Sequence, residues 1–375
     1  DQFSTGDRDF EVIFEPDERS SLVSIGMTKT YLLLAKLTNV RSELFKHFQK
    51  NGKWVSEKIN APDYGTISLI STDDFSDRYF FSYQNFLEPS SLYYVSDDQK
   101  IEKVKSLPHF FNSNNLEVKQ FEVRSKDGTR VPYFVVASKT VKLDGSNPTL
   151  LYGYGGFEVS MQPYYASTVG AAWLERGGVF ALANIRGGGE FGPKWHRAAL
   201  KENRQRAYDD FISVSEDLIR RKITSPEHLG IMGGSNGGLL VGVAFTQRPD
   251  LYNAVVCSVP LLDMKRYNKL LAGASWMAEY GDPDIPTEWD YIKEYSPYQN
   301  VLASKKYPKV FFTTTTRDDR VHPGHARKMA AKMEDQGHEL FYFENTEGGH
   351  GAGVTNEQRA FMMSLEFTYL LNMLK

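Results

Sequence analysis

Three residue groups in one chain order could do chemistry together. Residues 233–238 read GGSNGG, a Gly-x-Ser-x-Gly pattern centred on Ser235. An apolar run (229–232, LGIM) precedes it, and a helical run (239–244, LLVGVA) follows. A serine on a tight strand-to-helix turn is exposed as a nucleophile, and the helix N-terminus behind it favours negative charge. A glycine-rich turn without chemistry would share the pattern but not the later partners. A phosphate-binding loop is excluded because no Lys-Ser/Thr follows.

A serine nucleophile needs a base, and the base needs an orienting acid. In a strand–turn–helix framework of this kind the order is Ser, then Asp/Glu, then His. After an apolar run at 309–314 comes RDDR, with Asp318 and Asp319 adjacent. After a run at 340–344 comes EGGHGAG, with His350 among glycines. Spacing leaves the choice between Asp318 and Asp319 open. The other histidines have weaker claims. His322 and His325 flank Pro323-Gly324 but lack a cysteine or carboxylate set for a metal, so they read as polar residues at a helix start. His338 reads as a surface turn residue, and His109, His196 and His228 have no matching context. Neither a metal nor an organic cofactor is expected.

Two glycine-rich segments fit the same site. Residues 151–157 read LYGYGGF, where glycines allow close approach and a tyrosine O–H could donate to an oxyanion. A structural turn with packed aromatics is the plain alternative. Residues 184–192 read NIRGGGEFG and suggest a loop at a strand end near the site.

The elements needed to hold these groups are legible. From about residue 148 apolar strand runs (148–152, 179–184, 229–232, 254–259, 309–314, 340–344) alternate with helical patterns (203–221, 238–246, 324–336, 356–374). That rhythm predicts a mostly parallel sheet with helices on both faces, and ligands at the strands' carboxyl ends. Residues 116–138 predict a hairpin around an Asp127-Gly128 turn. The stretch before it, 107–115, reads as a linker. The first 110 or so residues read as β, with aromatic-rich runs at 29–37, 65–71, 78–84 and 91–96 between polar turns. Regular short strands suggest one or two blades of a propeller, too few to close a ring. The domains expected are 1–112 and 113–375.

Composition narrows the partners. The chain has 375 residues, a net charge of -3 and one cysteine, Cys257. It lacks the basic footprint of a nucleic-acid binder, an apolar run long enough for a membrane helix, and any internal disulfide. One cysteine suits a reducing compartment, but cytoplasmic and periplasmic settings both stay open. The start at Asp1 without Met suggests processing or truncation.

The motifs YGYGGF, NIRGGGEFG, GGSNGGLL, QRPDLY, DDRV and GGHGAG together resemble the prolyl oligopeptidase family of serine peptidases, over residues 116–375. The resemblance implies an α/β-hydrolase domain joined to a β-propeller, of which this chain holds the last one or two blades. It implies Ser235 as nucleophile, Asp318 as acid and His350 as base. The Asn236 backbone N–H and the Tyr154 hydroxyl would stabilise the oxyanion. Arg320 would hold a substrate carbonyl. Trp276 would stack on a substrate proline, with Phe157, Tyr280, Val321 and Leu261 completing the pocket. Leu261 stands where the family usually has valine.

Short peptides cleaved after proline are therefore the expected substrates. An aromatic slot suits a flat ring without an N–H, whereas Arg or Lys needs a buried carboxylate. Glu279, beside Tyr280, keeps alive the related oligopeptidase B pattern of cleavage after basic residues; an esterase or acylaminoacyl hydrolase shares the fold. With most blades absent, an apolar face bared to water should favour self-association.

Overall fold

The computed structural model describes residues 3–6, 8–351 and 353–375; Ala352 of the GGHGAG motif lies outside them. The N-terminal part forms two four-stranded antiparallel sheets, each a meander. The first contains β1 (Ser20–Met27), β2 (Leu32–Thr38), β3 (Arg41–Lys50) and β4 (Lys53–Lys58). The second contains β5 (Thr66–Thr72), β6 (Tyr79–Gln84), β7 (Ser91–Val95) and β8 (Ile101–Ser106). Strand β6 shows why they stack. Its alternation sends Tyr79, Phe81 and Tyr83 inward, where they join Leu33, Leu44, Ile67 and Val95 in one core. Two propeller-type blades are thus present, as the aromatic runs predicted.

The 107–115 stretch is more than a connector. Phe111 is buried and stacks on Tyr165. A side chain at Gly170 would run into its ring, at 2.2 Å. The segment is pinned to the following domain by this contact.

That domain is built on one eight-stranded sheet in the order β16-β15-β14-β13-β11-β12-β10-β9. A hairpin of β9 (Leu116–Arg124) and β10 (Arg130–Ser138) forms one edge, turning through Gly128 at φ 88°. Strands β11 (Thr149–Tyr152), β12 (Val179–Ala183), β13 (Leu229–Gly234), β14 (Ala254–Ser258), β15 (Lys309–Thr315) and β16 (Leu340–Asn345) follow. All their pairings with one another are parallel. Their near-continuous apolar sequence follows from burial on both faces.

The helices are α1 (Ser167–Ala172), α2 (Pro193–Arg197), α3 (Gln205–Arg220), α4 (Asn236–Gln247), α5 (Met277–Tyr280), α6 (Pro286–Tyr295), α7 (Pro297–Asn300), α8 (Gly324–Asp335) and α9 (Asn356–Leu374). The four patterned ones, α3, α4, α8 and α9, fall within two residues of the sequence expectation at every end. Helices α1, α2, α5 and α7, of six residues or fewer, were not legible because so short a run carries no clear amphipathic period, and the ten-residue α6 was not predicted either. Strand β11 is flanked by β12 on one side and β13 on the other. The chain order reverses there, which opens a crevice at the carboxyl ends of β11 and β13.

Candidate active site

Ser235 sits in that crevice, between β13 and α4. Its backbone has φ 59° and ψ -120°, a conformation costly for a residue with a side chain. The turn is held by Ser235 N–H donating to Ser258 O at 3.0 Å and by Leu239 N–H donating to Ser235 O at 3.1 Å. Close packing explains two of the glycines. A Cβ at Gly233 would lie 2.2 Å from Gly237 O, and one at Gly238 would lie 2.7 Å from Pro260 Cβ. The first N–H groups of α4, beginning with Asn236, have no partner within the helix and remain as donors.

The loops after β15 and β16 meet. His350 Nδ1 lies 2.7 Å from Asp318 Oδ2. The other Asp318 oxygen accepts from the N–H groups of Arg320 and Val321, both at 2.9 Å. The Asp318 side chain is fully buried and that of His350 nearly so. Asp319 is instead exposed and accepts from the His350 backbone N–H, at 3.4 Å. Of the two adjacent acids, Asp318 is the one bonded to the imidazole. Among the described residues no hydrogen bond joins His350 to Ser235.

A cavity of about 290 Å³ opens beside Ser235. Tyr154, Phe157, Asn236, Leu261, Trp276, Tyr280 and Arg320 all line it, as does Val159. Burial holds the Tyr154 phenol above its ordinary value, against the pull of Arg320 and Arg204, so it remains a proton donor at neutral pH. Arg320 is exposed and has no carboxylate partner among the described residues. Phe157 meets Tyr280 edge to face, with ring centroids 5.7 Å apart. Val321 does not line the cavity: it is buried in the core, and its role here is the N–H it gives to Asp318.

Beneath the cavity lies a buried polar network that sequence reading missed. Glu279 is 4% exposed. Its Oε1 accepts from Phe157 N–H and from Arg204 Nη1, both at 2.9 Å. Its Oε2 lies 2.8 Å from His196 Nε2. Arg204 also donates to Asn236 Oδ1 at 2.7 Å, as does Tyr280 O–H. Asn236 Nδ2 donates to Tyr154 O at 2.6 Å. Arg204, 1% exposed, keeps its charge because these acceptors and the Tyr208 and Tyr280 rings surround it. The Glu279 carboxylate, which the sequence left open as an acidic pocket residue, is thus held by partners of its own. His196 likewise has a context, in this network. Its only sequence signal was a place just beyond the NIRGGGEFG loop.

His325 also departs from expectation. It is buried, and its Nδ1 accepts from Leu262 and Asp263 N–H at 3.2 and 3.1 Å. Burial lowers its pKa to about 4, so it stays neutral and holds the loop that carries Leu261. His322 does act at the helix start, accepting from Gly324 N–H at 2.9 Å. Among the described residues no cluster of three or more His, Cys, Asp or Glu is arranged to hold a metal.

Comparison with known proteins places this geometry. Residues 165–375 match the Prolyl oligopeptidase family, and residues 2–106 match the prolyl oligopeptidase N-terminal beta-propeller domain. The chain belongs to the prolyl oligopeptidase family. It is 54% identical to the uncharacterized peptidase y4nA of Sinorhizobium fredii, over 97% of this chain and 50% of that protein. It is 38% identical to the prolyl endopeptidase of Elizabethkingia miricola, over 93% of this chain and 49% of that one. A solved post-proline cleaving enzyme from Rickettsia typhi superposes with a TM-score of 0.89 at 38% identity, covering 99% of this chain and 54% of the other. The chain thus spans about half the length of the prolyl oligopeptidase relatives it matches.

Proposed function

We propose that this chain carries the catalytic half of a serine peptidase that hydrolyses short peptides on the carboxyl side of proline. The observation that supports it best is the paired state of Glu279. With Phe157 N–H, Arg204 and His196 all on its carboxylate, the cavity offers no free anion to a basic side chain. What it offers instead is the apolar surface of Trp276, Phe157 and Tyr280, suited to a proline ring.

In this reading Ser235 Oγ attacks the carbonyl carbon of the residue in the slot. His350 Nε2 takes the hydroxyl proton and returns it to the leaving amine. Asp318, bonded to Nδ1, holds the tautomer and stabilises the imidazolium. The Ser–His contact forms as the reacting complex tightens, a common feature of catalytic hydrogen bonds. The Tyr154 hydroxyl and Asn236 N–H donate to the tetrahedral oxyanion. Arg320 binds a substrate carbonyl beside the slot. Water then repeats the cycle on the acyl-enzyme.

The test is hydrolysis of matched peptidyl reporters with Pro, Ala, Arg or Lys at P1, beside a Ser235→Ala control. A Pro preference that disappears in the control is expected. An Arg or Lys preference would overturn the proline assignment, and a Ser235→Ala variant above about 1% of wild-type rate would overturn the nucleophile.

A further inference from the structure

We propose that His196 is a positioning residue for the proline slot, acting through Glu279; this role rests on the proline reading above. The slot's walls come from two separate elements. Phe157 belongs to the loop after β11, while Trp276 precedes the single turn of α5 and Tyr280 ends it. Glu279 joins them, because it lies in that turn and its Oε1 accepts the Phe157 N–H. Oε1 has a second donor in Arg204, but among the described residues Oε2 has only His196 Nε2. An ionised carboxylate accepts only, so Nε2 carries the proton.

The loop needs such a hold. Phe157 and Glu158 both have left-handed backbones, at φ 55° and 57°. Non-glycine residues keep that conformation only where their surroundings over-determine it. Glu158 Oε2 lies 3.7 Å from His196 Nδ1, too far for a hydrogen bond, so the ring's hold on the loop runs through Glu279. Without the ring, Glu279 Oε2 is left buried and unpaired, and the Glu279 carboxylate turns to find a donor. Phe157 then loses its register against Trp276 and Tyr280.

The test compares wild type, His196→Asn and His196→Gln in the intact enzyme, with Pro and Ala reporters at P1. Asn is too short to reach Glu279, whereas Gln keeps an amide donor near the Nε2 position. His196→Asn should raise KM for the Pro reporter roughly tenfold with little change in kcat, and should lower the Pro-to-Ala ratio of kcat/KM. His196→Gln should restore most of that ratio. Equal losses on both reporters, or a fall confined to kcat, would overturn the positioning role, as would an unchanged ratio in His196→Asn. If His196→Asn does not fold, the same reading is taken from His196→Phe, which keeps the volume and removes the donor. A wild-type enzyme without Pro preference would instead overturn the proline assignment, and that result is read before any variant.

Discussion

His350 Nδ1 meets Asp318 Oδ2 at 2.7 Å, while the neighbouring Asp319 accepts from the His350 backbone N–H and not from its ring. The two aspartates therefore predict very different mutants. Asp318→Asn keeps the shape but donates where it should accept, so kcat should fall by about 10³–10⁴-fold. Asp319→Asn should stay within a few-fold of wild type. Steady-state kinetics on the preferred reporter checks both, and equal losses would refute the assignment.

Tyr154 offers a second discriminating substitution. Its phenol stays protonated and lines the cavity beside Ser235. If it donates to the oxyanion, Tyr154→Phe should lower kcat by about 10²–10³-fold, with KM nearly unchanged. A rise in KM alone would mean that the hydroxyl binds the ground state.

Glu279 should behave as a structural hub. Glu279→Gln keeps the volume but loses the charge facing buried Arg204 and replaces one acceptor oxygen with a donor. The expected outcome is a loss of stability of about 3–5 kcal/mol, read from denaturant unfolding, because one partner of a buried pair is removed. A stable variant that merely loses activity towards Arg or Lys reporters would restore the acidic-pocket reading.

Glu190 carries a pH signature. It is buried in the loop after β12, and burial raises its carboxyl to about 7 from an ordinary 4.5. Its Oε1 accepts from Met161 N–H, but Oε2 is unpartnered, as is the buried Asn184 Oδ1 nearby. A proton on Oε2 supplies the donor both oxygens lack. Since the folded value lies above the unfolded one, the contribution of this group to stability is fully present below about 4.5 and is lost as pH rises towards 7. Glu190→Gln should remove that dependence and be more stable than wild type at pH 8 by on the order of 2 kcal/mol. Melting curves at pH 5 and pH 8 test this, and parallel curves for the two proteins would refute it.

The edge strand β1 predicts self-association. Ile25 and Met27 are 63% and 56% exposed on it, beside exposed Leu22. An apolar edge strand is a template for pairing. Sizing chromatography across a concentration series should show larger species for wild type than for an Ile25→Lys/Met27→Lys variant. Identical elution would count against this face as the contact.

Much of this was legible along the chain because it is local. Strand runs, helical periods and the GGSNGG turn depend on neighbours a few residues apart, so sequence alone determined the α/β order, the blade-like strands and the Ser–Asp–His sequence at strand ends. The long helix Asn356–Leu374 and the parallel strands needed no tertiary information. Side-chain direction is a different matter. Asp318 and Asp319 are adjacent and chemically identical, and only the fold of the loop turns one inward. Val321 fitted the pocket by motif, yet it packs into the core. Buried charge networks are the least legible of all. Arg204 and His196 lie 75 and 83 residues from Glu279, and charged residues read by default as solvent-facing. Whether a carboxylate beside the slot is free or spent is decided by partners that only the tertiary structure brings together, because burial makes an unpaired charge too costly to leave in place.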